Sequence, residues 1–429
     1  MSDHMEKIVA LTKRRGFVYP GSDLYSGLAG TWDYGHLGVL LKNNIRDLWW
    51  RVFVLGRDDM LGLDSASLLK ADVWRASGHL EHFADPLVEC ADCHHRFRAD
   101  QLATDRCPDC GGALGSSRQF NLMFNTQVGA ATAAGQTAYL RPETAQGIFI
   151  NFKNLLDAYH LKLPFGVAQV GKAFRNEITP RDWLFRAREF EQMEIEYFVR
   201  PGTAEKEFET WRQSMLEFAR ALGLPADSVH ELEVPDGERA HYSRRTTDFE
   251  FDFPFGRKEL WGLADRGQYD LERHAAASHQ ELVYFDDQTK EKIVPEVIEP
   301  TFGLDRTVLA VLVAAYAEDR LGEGERTVLK FNYALAPIKA AVFPLLANKP
   351  DLVAKARQVY DELKKTVTPV MFDDNGNIGK RYRRQDEIGT PFCITIDFET
   401  LENNTVTVRQ RDTGTQDRVD ISALPKVIH

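Results

Sequence analysis

VAQVGKAFRNEITPRDWLFRAREFEQMEIEYF, residues 167–198 of a 429-residue chain, reads as two strands joined by a basic loop. Small and apolar residues lead into Phe174-Arg175-Asn176-Glu177. The stretch from Ile178 to Arg188 carries Arg181, Arg186 and Arg188, and the chain returns from Glu189 to Phe198. Strand side chains alternate between faces. Arg175 therefore shares a face with Glu177, and Phe190, Gln192, Glu194 and Glu196 share one face of the return strand. Charge stands where a core strand would be apolar. A guanidinium for phosphate, a ring for a planar base and carboxylates for an ammonium are what ATP and an amino acid ask of one surface. The competing reading is a solvated edge hairpin whose charges only discourage aggregation.

The wording of this hairpin, FRNE and then REFEQMEIEYF, resembles motif 2 of the class II aminoacyl-tRNA synthetases, and among them the homodimeric glycyl-tRNA synthetases. The same resemblance runs through GFVYPGSDLYSGLAGTWDYG at 16–35, WRASGH at 74–79, RPETAQGIFINF at 141–152 and HYSRRTTDFEF at 241–251. It continues in EPTFGLDR at 299–306 and KRYRRQDEIGTPFCITIDF at 380–398. It implies an α+β fold: a class II antiparallel sheet flanked by helices over residues 1–325, a zinc-ribbon-like insertion at 88–112, and an α/β anticodon-binding domain over 326–429.

Composition sets the outer limits. The formal net charge of -11 argues against a protein that coats nucleic acid, so any RNA contact must be local. No run is apolar enough for a signal peptide or a membrane helix, which points to a cytoplasmic protein. Four of the five cysteines, Cys90, Cys93, Cys107 and Cys110, form two C-x2-C knuckles. That pattern fits one tetrahedral structural zinc with no open coordination position; a metal-free knuckle is the alternative. Cys393 stands alone in a strand-like run.

The chain in order supplies the rest. Residues 35–56 have helical spacing through Leu40, Leu41, Ile45, Leu48, Trp49 and Val52. The resemblance makes this motif 1, part of a dimer interface; an ordinary amphipathic helix on its own core fits the pattern equally. Leu140 to Gly147 reads as a strand-to-helix turn, 203–222 as an amphipathic helix and His241–Phe255 as partly alternating strand. Glu299–Arg306 resembles motif 3, with Gly303 permitting close backbone approach and Arg306 at a helix start. A linker is expected near Gly322-Glu323-Gly324-Glu325. Beyond it, strands at 340–346, 367–372, 392–398 and 405–411 and a helix at 351–365 suggest a small α/β domain. Lys380, Arg381, Arg383 and Arg384 form a basic run that either grips RNA phosphates or is a solvated helix face. Family relatives have proline where this chain has His36 and Ala71, and Trp-Gly where it has Arg257-Lys258.

The activity implied by the resemblance is ATP-dependent ligation of glycine to tRNA(Gly) through glycyl-adenylate, by a homodimer. Arg175 would hold the α-phosphate, Phe190 would stack on adenine, and Arg306 would cover the base or reach the γ-phosphate; Arg175 and Arg306 are the catalytic pair. Asn176, Glu177, Phe185, Arg186, Arg188, Leu260 and Gly303 would complete the ATP site. Glu259 is either a ligand for Mg2+ on the phosphates or a surface glutamate. For glycine, Glu143 and Glu194 would pair with the ammonium, Arg98 would sense the substrate end of the site, and Glu299 would be a further glycine contact. Thr301, Gln192 and Met193 would crowd the pocket and reject even an added methyl by clash, with Phe190, Glu191 and Gly303 also binding glycine. Two rivals from other classes are a synthetase-like regulatory protein without activity and an enzyme that passes the adenylate to a second ATP.

Overall fold

The computed structural model describes residues 2–129, 135–321 and 324–428. Its centre is a seven-stranded sheet built from β1 (Met60–Gly62), β2 (Phe165–Phe174), β3 (Glu189–Val199), β4 (Val229–Glu233), β5 (Arg245–Phe253), β6 (Gly256–Gly267) and β7 (Glu296–Gly303). Across the sheet the order is β4-β5-β6-β7-β3-β2-β1. All neighbours are antiparallel except β1 and β2, which run parallel. The hairpin expected at 167–198 is β2–β3, in a register that sets Ala173 against Phe190 and Gln169 against Glu194.

Around the sheet lie α1 (His36–Trp50), α2 (Ala145–Phe149), α3 (Ala204–Ala221), α4 (Tyr269–Ser278) and α5 (Leu304–Ala315). The main core joins Leu41, Ile45 and Trp49 of α1, Phe208, Trp211, Met215 and Phe218 of α3, and Val308 and Leu312 of α5 to Met193, Ile195 and Tyr197 of β3. Each fully buried side chain of this size contributes roughly 1.5–3 kcal/mol relative to exposure. On the opposite face, Ile148, Phe149, Phe152 and Leu271 pack on Val167 and Phe198. The alternation of β3 thus delivers Phe190, Gln192, Glu194 and Glu196 to the face that this second core only partly covers.

The departures at His36 and Ala71 fall at the same kind of place: His36 opens α1, and Ala71 opens the short helix Ala71–Ala76. Proline is tolerated at a helix start because its missing N–H has no helical partner there. Replacing it with another residue leaves both helix starts intact. Arg257 and Lys258 lie at the exposed β5–β6 hairpin, where Arg257 Nε donates to Asp252 Oδ1 at 2.9 Å.

Beyond α5, Tyr316–Leu321 and Gly324–Leu329 pair as an antiparallel hairpin, so Gly324 and Glu325 of the expected linker are strand residues; Gly322 and Glu323 lie outside the described residues. The C-terminal unit holds β8 (Ala340–Pro344), α6 (Pro350–Leu363), β9 (Val370–Phe372), α7 (Ile378–Ile388), β10 (Phe392–Ile396), β11 (Thr405–Gln410) and β12 (Gln416–Asp420). They form a sheet of order β9-β8-β10-β11-β12 over their own apolar core. A short helix, Phe398–Asn403, stands where sequence suggested only a turn; Asp397 and Thr400 cap it reciprocally. No helix among the described residues is long and apolar enough to cross a membrane.

Candidate active site

A cavity of about 320 Å³ opens over β3, β6 and β7. A Cβ on Gly262 would meet nothing within 4 Å, so the missing side chain on β6 helps keep that space open. One end carries guanidinium groups and rings. Arg175 follows directly on β2; its Nε donates to Pro142 O at 3.0 Å, and its guanidinium lies 5.3 Å from the ring centroids of both Phe83 and Phe190. Arg306, in the first turn of α5, lies 4.5 Å from the Phe185 ring and donates from Nε to Phe185 O at 3.2 Å. Its Nη1 pairs with Glu259 Oε2 at 3.2 Å, and this guanidinium draws the Glu259 carboxyl below its ordinary range. Arg186 Nη1 pairs with Glu177 Oε2 at 3.1 Å. Asp248, beside them on β5, is pushed up to about 7 by burial, with Glu259 and Glu250 adding to the effect.

The other end is a nest of buried carboxylates. Glu143 accepts from Gln146 Nε2 at 3.1 Å and pairs with His79 Nε2 at 3.2 Å. His79 in turn meets Ser77 Oγ at 2.8 Å through Nδ1. Burial pushes the Glu143 carboxyl up, but His79, Arg266 and Gln146 outweigh it and hold the group well below the usual range. Glu194 accepts the hydroxyls of Thr144 and Thr301, the latter at 3.0 Å. Burial, then Glu143, raises its pKa. Glu299 accepts from Arg266 Nη1 at 2.6 Å, while Arg266 Nε and Nη2 serve Asp270 at 2.7 and 2.8 Å. The Tyr242 ring lies 3.6 Å from the Arg266 guanidinium. Each nitrogen of the Arg266 guanidinium thus serves one of two acids, Glu299 or Asp270.

The cavity wall brings together Glu143, Arg175, Glu177, Phe185, Arg186, Phe190, Gln192, Glu194, Glu259, Leu260, Glu299, Thr301, Gly303 and Arg306. Other expected residues fall elsewhere. Met193 points to the opposite face of β3 and is fully buried in the main core, so it supplies no side chain to a glycine wall. Glu191 shares that face: its carboxylate pairs with Lys42 and its N–H donates to Asp305 Oδ2 at 2.6 Å, while the residue still edges the cavity. The two-residue strand period separates both from Gln192 and Glu194. Arg188 is spent on backbone carbonyls, those of Ala29 at 2.6 Å and Glu177 at 2.9 Å, tying the 21–31 loop to the hairpin. Asn176 is held by its backbone N–H on Leu122 O at 2.7 Å. Arg98 lies outside the wall, on the inserted sheet, paired with Asp85 at 2.6 Å and Asp100 at 2.7 Å.

Several residues that reasoning from sequence passed over belong to the site: His79, Thr144, Tyr242, Asp248 and Arg266. Their chain positions carry no spacing that ties them to the cavity. Glu196 is different, since its alternation with Glu194 had already placed it on this face.

In the insertion, the four sulfurs of Cys90, Cys93, Cys107 and Cys110 lie within 4.8 Å of one another. Cys90 and Cys107 are buried, Cys93 is half-buried and Cys110 exposed, each pair spanning one tight turn. Such a closed set of soft donors can hold a tetrahedral metal.

An antiparallel sheet carrying a motif 2 hairpin and an arginine at the start of a following helix, joined to a separate α/β unit, defines a class II aminoacyl-tRNA synthetase. Residues 130–315 match the family described as tRNA synthetase class II core domain (G, H, P, S and T), and residues 339–429 match the anticodon binding domain. The fold is similar to that of Giardia lamblia prolyl-tRNA synthetase in complex with prolyl-adenylate, with a TM-score of 0.71 at 15% identity over 98% of this chain and 74% of that one. A glycine–tRNA ligase of Lachnospira eligens is 50% identical over 99% of this chain and 98% of its own length. That of Thermobifida fusca is 48% identical over 100% and 98%. The chain belongs to the glycine–tRNA ligase family.

Proposed function

We propose that the cavity over β3 and β7 is where this glycine–tRNA ligase joins glycine to ATP before the glycyl group passes to tRNA(Gly). The observation that carries this reading is the meeting, in one cavity, of a guanidinium-and-ring surface with buried carboxylates that exceed their cationic partners. The first suits a nucleotide triphosphate; the second suits an ammonium.

Attack of the glycine carboxylate on the α-phosphorus expels pyrophosphate and calls for alignment and charge neutralisation rather than a nucleophilic side chain. Arg175 lies where it can neutralise the α-phosphate. Phe190 supplies the ring for adenine, with Arg306 at the γ-phosphate or the far face of the base and Arg186 as a second clamp. Glu143, Glu194 and Glu299 receive the ammonium, and Gln192 and Thr301 crowd the position where a Cβ would stand. The magnesium that accompanies ATP would take Glu259 as its protein ligand, adding positive charge at the phosphates. A zinc held by the four cysteines would be structural, since four thiolates leave no open position.

The C-terminal unit is the reading's contact for tRNA. A homodimer is part of this reading, supported by the exposed apolar side chains of Leu24, Tyr25 and Leu28, and the mass of the purified protein in solution checks it. The test of the whole reading is glycine-dependent ATP–pyrophosphate exchange, with alanine and serine as controls. Exchange with glycine alone is expected; exchange with no amino acid would remove the ligase reading in favour of an inactive synthetase-like protein.

A further inference from the structure

Below the carboxylates assigned to the ammonium lies Glu196, 0% exposed, with both side-chain oxygens lacking a hydrogen-bond partner among the described residues. The register of β3 with β7 runs from Glu194↔Thr301 to Tyr197↔Ile298, which sets Glu196 opposite Glu299 and on the same face as Glu194. Carboxylate oxygens of Glu194, Glu196 and Glu299 lie within 4.8 Å of one another.

Among the described residues no neighbour donates to Glu196. The two threonine hydroxyls of this nest go to Glu194, and Arg266 gives its nitrogens to Glu299 and Asp270. The charged groups that face Glu196 are Glu194 on its own strand, Glu299 on β7, Arg266 on β6 and Asp270 on α4, so acids outnumber the cation. An ionised carboxylate that is buried, undonated and beside like charge is the least favourable state for this side chain. Burial first, then Glu299, pushes the group well above the usual carboxylate range. A protonated acid in the same place is instead a donor among acceptors, a role that a buried carboxyl can fill at neutral pH. A leucine would fill the volume at lower cost, so the carboxyl itself needs a use.

We propose that Glu196 is a positioning residue for glycine recognition: a neutral carboxylic acid whose hydroxyl donates to Glu299, directly or through one water, and so holds Glu299 and Glu194 in place around the ammonium. This rests on the assignment of Glu194 and Glu299 to the amino-acid end of the cavity. Burial pushes the Glu299 carboxyl up as well, but Glu299 accepts from Arg266 Nη1 at 2.6 Å while Glu196 has no partner among the described residues, so the proton goes to Glu196 and the anion to Glu299.

Two variants separate the donor from the bulk. Glu196→Gln keeps a neutral donor; Glu196→Leu keeps the volume without one. A hydrogen bond to a charged group accounts for about a tenfold or larger effect. The glycine KM in pyrophosphate exchange is therefore expected to rise about tenfold or more in Glu196→Leu and to stay within about threefold of the parent in Glu196→Gln. The ATP KM should hold in both, which controls for the fold. Infrared difference spectra of the parent at neutral pH should show the carbonyl stretch of a buried carboxylic acid, absent from Glu196→Gln. Equal damage in both variants, with no acid band, would mean that Glu196 acts as an anion. A parental glycine KM in Glu196→Leu would mean that it only packs. Either result overturns the proposal. If the parent itself fails to activate glycine while the acid band persists, the assignment of the site has failed and the protonation of Glu196 has not.

Discussion

Two regions of this chain bury charge, and they do so in opposite ways. In the C-terminal unit the buried arginines are matched. Arg409 Nη1 and Nη2 reach Asp386 at 2.9 and 3.0 Å, and Arg326 reaches Asp319 Oδ1 at 2.6 Å and Arg411 O at 2.7 Å. Arg411 serves the carbonyls of Gly389 and Phe331, each at 2.8 Å. In the cavity, Glu143, Glu194, Glu196, Glu299 and Asp270 are buried around one arginine, Arg266. Balanced burial fixes a shape, because these arginines already hold their acceptors. Unbalanced burial holds a shape that is short of positive charge, which on the proposed reading the glycine ammonium supplies.

The largest expected effect tests the balanced side. Asp386→Ala leaves Arg409 without its carboxylate and takes one from Arg326, and breaking a buried pair in this way costs about 3–5 kcal/mol. Urea unfolding should show that loss, while glycine-dependent exchange below the unfolding transition stays at the parental level. Lost exchange with unchanged stability would break the comparison. The mirror-image test is Arg175→Ala. Removing a group aimed at transition-state charge lowers the exchange rate about 10²–10³-fold, and Tm should barely move. Phe190→Ala ranks next, since loss of stacking on one base is worth roughly 1–3 kcal/mol. That loss should raise the ATP KM and spare the glycine KM.

How far the sequence discloses this division depends on the range over which each part is encoded. The β2–β3 hairpin is local, so its alternation placed Phe190, Gln192, Glu194 and Glu196 on one face from sequence, and the resemblance added the identity of the fold. The same alternation turns the side chains of Met193 and Glu191 to the far face, though Glu191 still edges the cavity. His79, Arg266 and Asp248 reach the cavity from distant segments, and no periodicity reports such a meeting. The run Lys380–Arg384 shows the converse error. Read as a surface, it offers four cations; in the fold, Arg381 is buried and gives its nitrogens to the carbonyls of Pro344, Asp374 and Gly376. Arg384 is bound to Asp373 at 2.6 Å. Of the run, Arg381 is architecture, on the balanced side of the comparison, and a phosphate contact there falls to Lys380 and Arg383.

The smallest effect sharpens the unbalanced side, because it reads the excess of acid as a dependence on pH. Asp248 has an ordinary value of 3.8, raised in the fold to about 7 by burial and by Glu259 and Glu250. Between those two values the folded chain binds a proton that the unfolded chain does not. Stability therefore falls as pH rises through that window. Asp248→Asn carries no charge at any pH and escapes the penalty. Its Tm should lie close to the parental value near the acid end of the window, then exceed it by a margin that grows up to about pH 7 and levels off above. Calorimetric scans of the two proteins across that range check the sign. A constant margin would show that Asp248 is ionised throughout, and the cation that settles it would then have to be sought in Arg306, the one positive group acting on it.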